Sequence, residues 1–248
     1  MRITIKLKLA AAFGFVILLL MGSAVFGIIS LSSLNDAVGN LIAGPSKSLE
    51  LALEAKAAEL DAIRWQKNAL LETDPETAKK HYENSAKSMD EMLAFATGGQ
   101  QIATADSKPT WDRLIELSKR FVDGSNKVAL IHESGDRAGA TAYSGGEVRA
   151  IVTELEDVFT ALVTHQQKAM TQADDDTETL YGNTRNLLIG IAIGASVIAF
   201  AAALWIALGI SSALRKIMNV ANAVAIGDLN QKVEIKSNDE IKDLVNTI

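Results

Sequence analysis

"LLIGIAIGASVIAFAAALWIALGI", from Leu187 to Ile210, is 24 residues without a charge, and its reading decides how the rest of the chain is organised. A helix rises about 1.5 Å per residue, so about 20 apolar residues cross the hydrocarbon of a bilayer. This stretch is a membrane span. A second uncharged run, "LAAAFGFVILLLMGSAVFGIISL" from Leu9 to Leu31, lies near the N-terminus. Its basic leader (Arg2, Lys6, Lys8) and the small residues Gly22-Ser23-Ala24 also fit a cleaved signal peptide, but its apolar run is longer than a signal core, so it reads as a retained span.

Charges beside the two spans orient them. Residues 1–8 hold 3 basic residues and no acid, and Arg215-Lys216 follow the second span, whereas Asp174-Asp175-Asp176 and Glu178 precede it. Basic flanks stay in the cytoplasm, so both ends are expected inside. Residues 32–186 hold 16 basic and 25 acidic residues and are expected outside. The chain thus divides into a cytoplasmic tail (1–8), a span (9–31), an extracytoplasmic domain (32–186), a span (187–210) and a cytoplasmic element (211–248).

The outside domain reads as all-α. The chain is 48% apolar and 5% aromatic, with 3 Pro and no Cys, which suits long helices and leaves stability to helix packing rather than disulfides. Leu34, Val38, Leu41, Leu49, Leu53, Leu60, Ile63 and Leu70 recur at three-and-four spacing and extend the first span outward, with a kink expected at Pro45. Asp74-Pro75-Glu76 starts a second helix, whose stripe of Ala78, Tyr82, Ser85, Met89, Met92 and Ala96 is expected to end in a Gly98-Gly99 cap. Pro109 opens a third, with Trp111, Leu114, Ser118, Phe121, Ser125 and Val128 inward until Ser134-Gly135. The fourth carries Val148, Ile151, Leu155, Val158, Leu162 and Gln166 on into the second span, and Gly145-Gly146 is expected to break or tighten it near its start. Four such helices with short connections predict a membrane-anchored antiparallel four-helix bundle.

Catalytic and metal-binding patterns are absent from this sequence. His81, His132 and His165 lie far apart and lack the i, i+4 pairing of a helical metal site. Gly145-Gly146 has no preceding strand of the kind that a phosphate-binding loop needs. Carboxylates on helices at this density are a solvated face. The composition therefore predicts binding and transmission without a cofactor, rather than an enzyme.

Beyond the second span, Leu214, Ile217, Ala221 and Val224 repeat at coiled-coil spacing, Gly227-Asp228-Leu229 turns the chain, Val233 and Ile235 alternate, and Asp239-Glu240-Ile241 opens another helix. Residues 211–248 resemble a HAMP domain, with two departures from its pattern: Ala213 stands where proline is common, and Lys242 where glycine is. In HAMP domains two helices per subunit, joined by an extended connector, dimerise into a four-helix coil that relays membrane motion. The resemblance implies relay roles for Leu214, Ile217, Gly227, Leu229 and Val233. Glu240, at the start of the second helix, can satisfy free amide donors there.

The order of span, bundle, span and HAMP resembles the N-terminal half of a bacterial methyl-accepting chemotaxis protein. That resemblance implies an inner-membrane homodimer with a periplasmic or extracellular sensor domain, which binds a small molecule or a ligand-binding protein. It also implies an output domain, expected beyond Ile248, that acts on a chemotaxis adaptor and histidine kinase, and no nucleic acid partner. The sensor half of a membrane histidine kinase or of a cyclic-dinucleotide enzyme would reuse the same layout, and a structural membrane-anchored coiled coil is a third reading. Gly190 and Gly194, one turn apart in the second span, suit close helix approach in a dimer. Family bundles dock small molecules between the first and fourth helices. Arg64 with Lys67, and Arg149 with Thr153, lie one turn apart on those helices and could grip a small anion, with Trp65 as a wall.

Overall fold

A computed structural model describes residues 4–226 and 239–242. It forms two compact units, Met1–Leu34 with Thr179–Ile248, and Asn35–Glu178. Helix α1 runs Ile5–Leu41, and α6 runs Arg149–Ala225 as one helix of 77 residues. Each carries an apolar window long enough to cross a membrane, in which almost nothing is buried within the protein. Phe13, Leu18, Phe200 and Trp205 are exposed there, as lipid-facing side chains are.

The unit Asn35–Glu178 is an antiparallel bundle of α2 (Lys47–Leu71), α3 (Pro75–Gln101), α4 (Lys108–Glu133) and a last limb made of α5 (Arg137–Tyr143) leading into α6. Cross-links set its register. Ser85 Oγ donates to the Ala62 carbonyl at 2.8 Å between α3 and α2, and Arg113 pairs with Glu154 at 2.5 Å between α4 and α6. The buried face of α4 contains all six residues whose spacing marks it in the sequence, Trp111 to Val128. Among the described residues there is no strand.

Three local features go beyond or against the expectations. Pro45, where a kink is expected, sits in a π-helical turn, Ile42–Ser46, through which α1 passes into α2. Proline lacks an amide hydrogen and crowds the carbonyl four residues earlier, and a wider turn accommodates both. Gly98-Gly99 does not cap α3, which continues to Gln101. A Cβ at Gly99 would overlap the six-membered ring of Trp111, so the glycine is there for close packing. Gly145-Gly146 widens its helix rather than breaking or tightening it, within a second π-turn, Ser144–Val148, that joins α5 to α6. That last limb therefore starts at the Asp136 cap, where the side chain accepts the Gly139 amide at 2.7 Å and Gly135 turns the chain with φ +93°.

The leucines that mark α2 in the sequence do not all form its core. Leu53 and Leu60 are about half exposed, at 49% and 51%, while Ala52, Ala55, Ala62 and Ala69 are fully buried. Alanines let α2 approach its neighbours closely, and Trp111, Phe121, Phe159 and Met92 supply the volume. Interleaved with those alanines are Ser48, Glu59 and Gln66, which makes this seam of the core partly polar.

Candidate functional site

The polar seam of α2 meets the π-turn before α6. Ser144 is buried, and its hydroxyl donates to Gln66 Oε1 at 2.8 Å while accepting from Lys67 Nζ at 3.2 Å. One serine thereby fixes both side chains against the start of α6. A cleft of about 360 Å³ opens beside it, with Leu60, Ile63, Val148 and Val152 as apolar walls. Its polar rim is Gln66, Lys67, Arg149, Thr153 and Glu156.

Three of the four residues expected to hold an anion line this cleft: Lys67, Arg149 and Thr153. The Thr153 hydroxyl bonds back to the Arg149 carbonyl at 3.1 Å, which leaves its lone pairs as its polar offer to a ligand. Arg64 is not among the lining residues. It is 59% exposed, pairs with Asp61 at 3.0 Å and lies over the Trp65 ring at 5.2 Å. Trp65 is not a wall of the cleft either, because it stacks on His81 of α3 with ring centroids 5.4 Å apart.

Sequence reasoning missed the buried partners. Gln66 is 2% exposed and its amide nitrogen has no hydrogen-bond acceptor. Glu59, two turns earlier on the same stripe, is fully buried, and neither carboxylate oxygen has a donor. Burial pushes its carboxyl up to about 7, the charge of Glu156 on α6 adds to the rise, and Lys56 opposes it. The available signal was polar residues recurring every seven positions on an alanine stripe, as Glu59 and Gln66 do.

A second cleft of about 380 Å³ lies between the α2–α3 turn and the end of α4, lined in part by Tyr82, His132, Lys79 and Arg137. Tyr82 meets His132 edge-on at 5.7 Å, and burial, with Glu133 adding, pushes its hydroxyl up to about 12. Among the described residues, no group of three His, Asp or Glu is placed to hold a metal.

Of the residues expected to act in relay, Leu214 is 51% exposed on α6 and Ile217 is half-buried. Gly227, Leu229 and Val233 lie outside the described residues. Glu240 is positioned: its Oε2 accepts the backbone amide of Ile5 at 2.7 Å, and the neighbouring Asp239 pairs with Lys8 at 2.9 Å. Lys8 also lies over the Trp205 ring, 5.7 Å from its centroid.

Residues 2–181 match the family described as a four helix bundle sensory module for signal transduction, and residues 205–248 match the HAMP domain. Over 137 residues, 55% of this chain, it is 23% identical to the methyl-accepting chemotaxis protein NahY of Pseudomonas putida. The chain spans 26% of the length of that relative. No solved structure matches it. With a matching bundle followed on the same α6 helix by the start of a HAMP domain, the chain belongs to the family of four helix bundle sensory modules for signal transduction.

Proposed function

We propose that this chain is the sensing and relay half of a transmembrane chemoreceptor. Residues 32–186 bind a ligand outside the inner membrane, residues 9–31 and 187–210 cross it, both ends lie in the cytoplasm, and residues 211–248 relay the signal there. The observation that carries this reading is α6. A single helix, Arg149–Ala225, bears the cleft residues Arg149 and Thr153, the uncharged run 187–210 and the relay positions Leu214 and Ile217. A displacement of its first turns is thereby delivered to its last ones along one hydrogen-bonded element.

The ligand class that fits the cleft is a small anion, held by Lys67 and Arg149 with Thr153 and seated on Leu60, Ile63 and Val152. The reading includes a homodimer, which the exposed Leu53 and Leu60 favour, and an output domain acting on a chemotaxis adaptor and histidine kinase. The test is to join the chain to a chemoreceptor output domain and to measure kinase activity against a panel of small carboxylates and phosphates. A ligand that binds the bundle should change kinase activity in the wild type and leave it unchanged in Arg149→Ala. Kinase activity indifferent to every ligand that the bundle binds rejects the reading.

A further inference from the structure

Glu59 sits on the core face of α2 between Ala55 and Ala62, fully buried, with neither oxygen hydrogen-bonded. A buried carboxylate without donors is strongly unfavourable, and such a group either finds a cation or stays protonated. Among the described residues no cation is paired with it. From α6 the facing titratable group is Glu156, an acid that also lines the cleft, and on α2 Lys56 lies one turn away. The Ser85–Ala62 bond sets the register of α3 on α2, and the packing of Gly99 against Trp111 that of α4 on α3, so that α3 presents Ser88 and Met89 near this level and α4 presents Ser118 and Phe121, none of which is an acid or a base. The Ser118 hydroxyl is itself buried without a partner.

We propose that Glu59 is a proton-binding site that makes the α2–α6 seam beside the cleft respond to the pH of the compartment bathing the bundle. The carboxyl is protonated in the closed seam described above. When it releases its proton to solvent, the carboxylate left behind faces a second acid, Glu156, in an alanine-lined core, and it is relieved only by water entering or by Lys56 swinging in. Either event loosens α2 from α6 at the level of the cleft. Burial and the Glu156 charge hold the carboxyl up to about 7, so both forms are populated near neutrality. The inference rests on the reading of this bundle as a sensor; it adds a second input that acts on the same seam as the ligand.

The whole chain in lipid nanodiscs tests it, and the absence of cysteine allows spin labels at Ala57→Cys on α2 and Ala150→Cys on α6, both exposed. Carboxyl-labelled glutamate, followed by nuclear magnetic resonance with pH, should show a signal titrating near 7 that is missing in Glu59→Gln. The label separation should change over the same pH range in the wild type and stay at its low-pH value in Glu59→Gln, an isosteric neutral variant that preserves the fold. Glu156→Gln should move the midpoint down. A Glu59 signal titrating in the ordinary carboxylate range, a separation that does not follow the titration, or the same pH response in Glu59→Gln overturns the proposal. These readouts use neither ligand nor output domain, so their failure leaves the chemoreceptor reading to its own kinase test.

Discussion

The backbone amide of Ile5 donates to Glu240 Oε2 at 2.7 Å, and beside it Lys8 pairs with Asp239 at 2.9 Å. Ile5 opens α1, and the first amides of a helix have no partner within it. A carboxylate at that point satisfies a free donor and sits at the positive end of the helix dipole. Asp239 and Glu240, within the stretch that matches the HAMP domain, therefore hold the beginning of α1, within one compact unit.

Glu240→Ala removes this acceptor and leaves the Ile5 amide without it, a loss of about 1 to 3 kcal/mol. Allosteric coupling is of similar size, about 1 to 3 kcal/mol, so the change is large enough to offset what a ligand contributes. In the chain joined to an output domain, kinase activity should become insensitive to ligand, while the affinity of the bundle changes by at most about threefold. Normal ligand-dependent output from Glu240→Ala would remove Glu240 from the relay.

The cleft separates the four expected anion contacts into two kinds. A hydrogen bond to a charged group contributes about 1.5 to 3 kcal/mol, so Lys67→Ala and Arg149→Ala should each weaken anion binding by about tenfold or more. Arg64→Ala should change it by less than about twofold, because that guanidinium is engaged by Asp61 outside the cleft. Isothermal titration on residues 35–178, the compact bundle unit, measures all three. Equal losses for Arg64 and Arg149 would move the site away from this cleft.

The orientation has its own measurement. If the basic flanks of both spans stay in the cytoplasm, a protease added to spheroplasts should cut between Ser32 and Asn186 and nowhere else. Cleavage within residues 1–8 or beyond Ala213 would reverse the topology.

The spans, the four limbs of the bundle and the inward stripe of α4 are legible in the sequence, because each rests on a long periodic or uncharged run. The core of α2 was not. Hydropathy ranks Leu53 and Leu60 above Ala55 and Ala62, but close helix approach selects the small residues and leaves those leucines half exposed. Phe159 escaped for a related reason: it adjoins Val158, and only one phase of the helix brings it fully inside. One-turn spacing pairs Arg149 with Thr153, and both line the cleft, but it could not tell that Arg64 falls beyond the edge of the stripe formed by Leu60, Ile63 and Lys67. Ser144, which organises the cleft, is invisible without the π-turn that carries it.

Gly99 offers a sharper check on packing than any leucine. Its missing side chain leaves the space occupied by the Trp111 ring, which is fully buried. Gly99→Ala adds one methyl group where aromatic carbons already lie, and overpacking of this kind destabilises by about 1 to 3 kcal/mol. The gain in helix propensity over glycine, about 1 kcal/mol, offsets only part of it. Denaturant unfolding of residues 35–178 should show a lower midpoint and altered Trp111 emission, whereas Gly98→Ala, where a Cβ would meet Leu51 at 3.7 Å, should be neutral or stabilising.

The pH dependence of stability follows from the sign of each shift. Glu59 is raised from 4.5 to about 7, so its contribution is fully present below the unfolded value and is lost as pH rises through the folded one. At 1.36 kcal/mol per unit this removes up to about 3 kcal/mol between about pH 4.5 and pH 7. Glu72 and Asp74 act oppositely: hydrogen bonds from backbone amides, and from the Thr77 hydroxyl to Asp74, lower both. Their contribution is present at neutral pH and lost on acidification, so it bounds the window from below. Tyr82, raised to about 12, acts only in strong base. Unfolding of residues 35–178 should therefore show the wild type more stable near pH 5 than near pH 8, with Glu59→Gln nearly level across that range and more stable than the wild type at its alkaline end. Parallel pH profiles for the two proteins would show that the ionisation of Glu59 is relieved without cost to the fold.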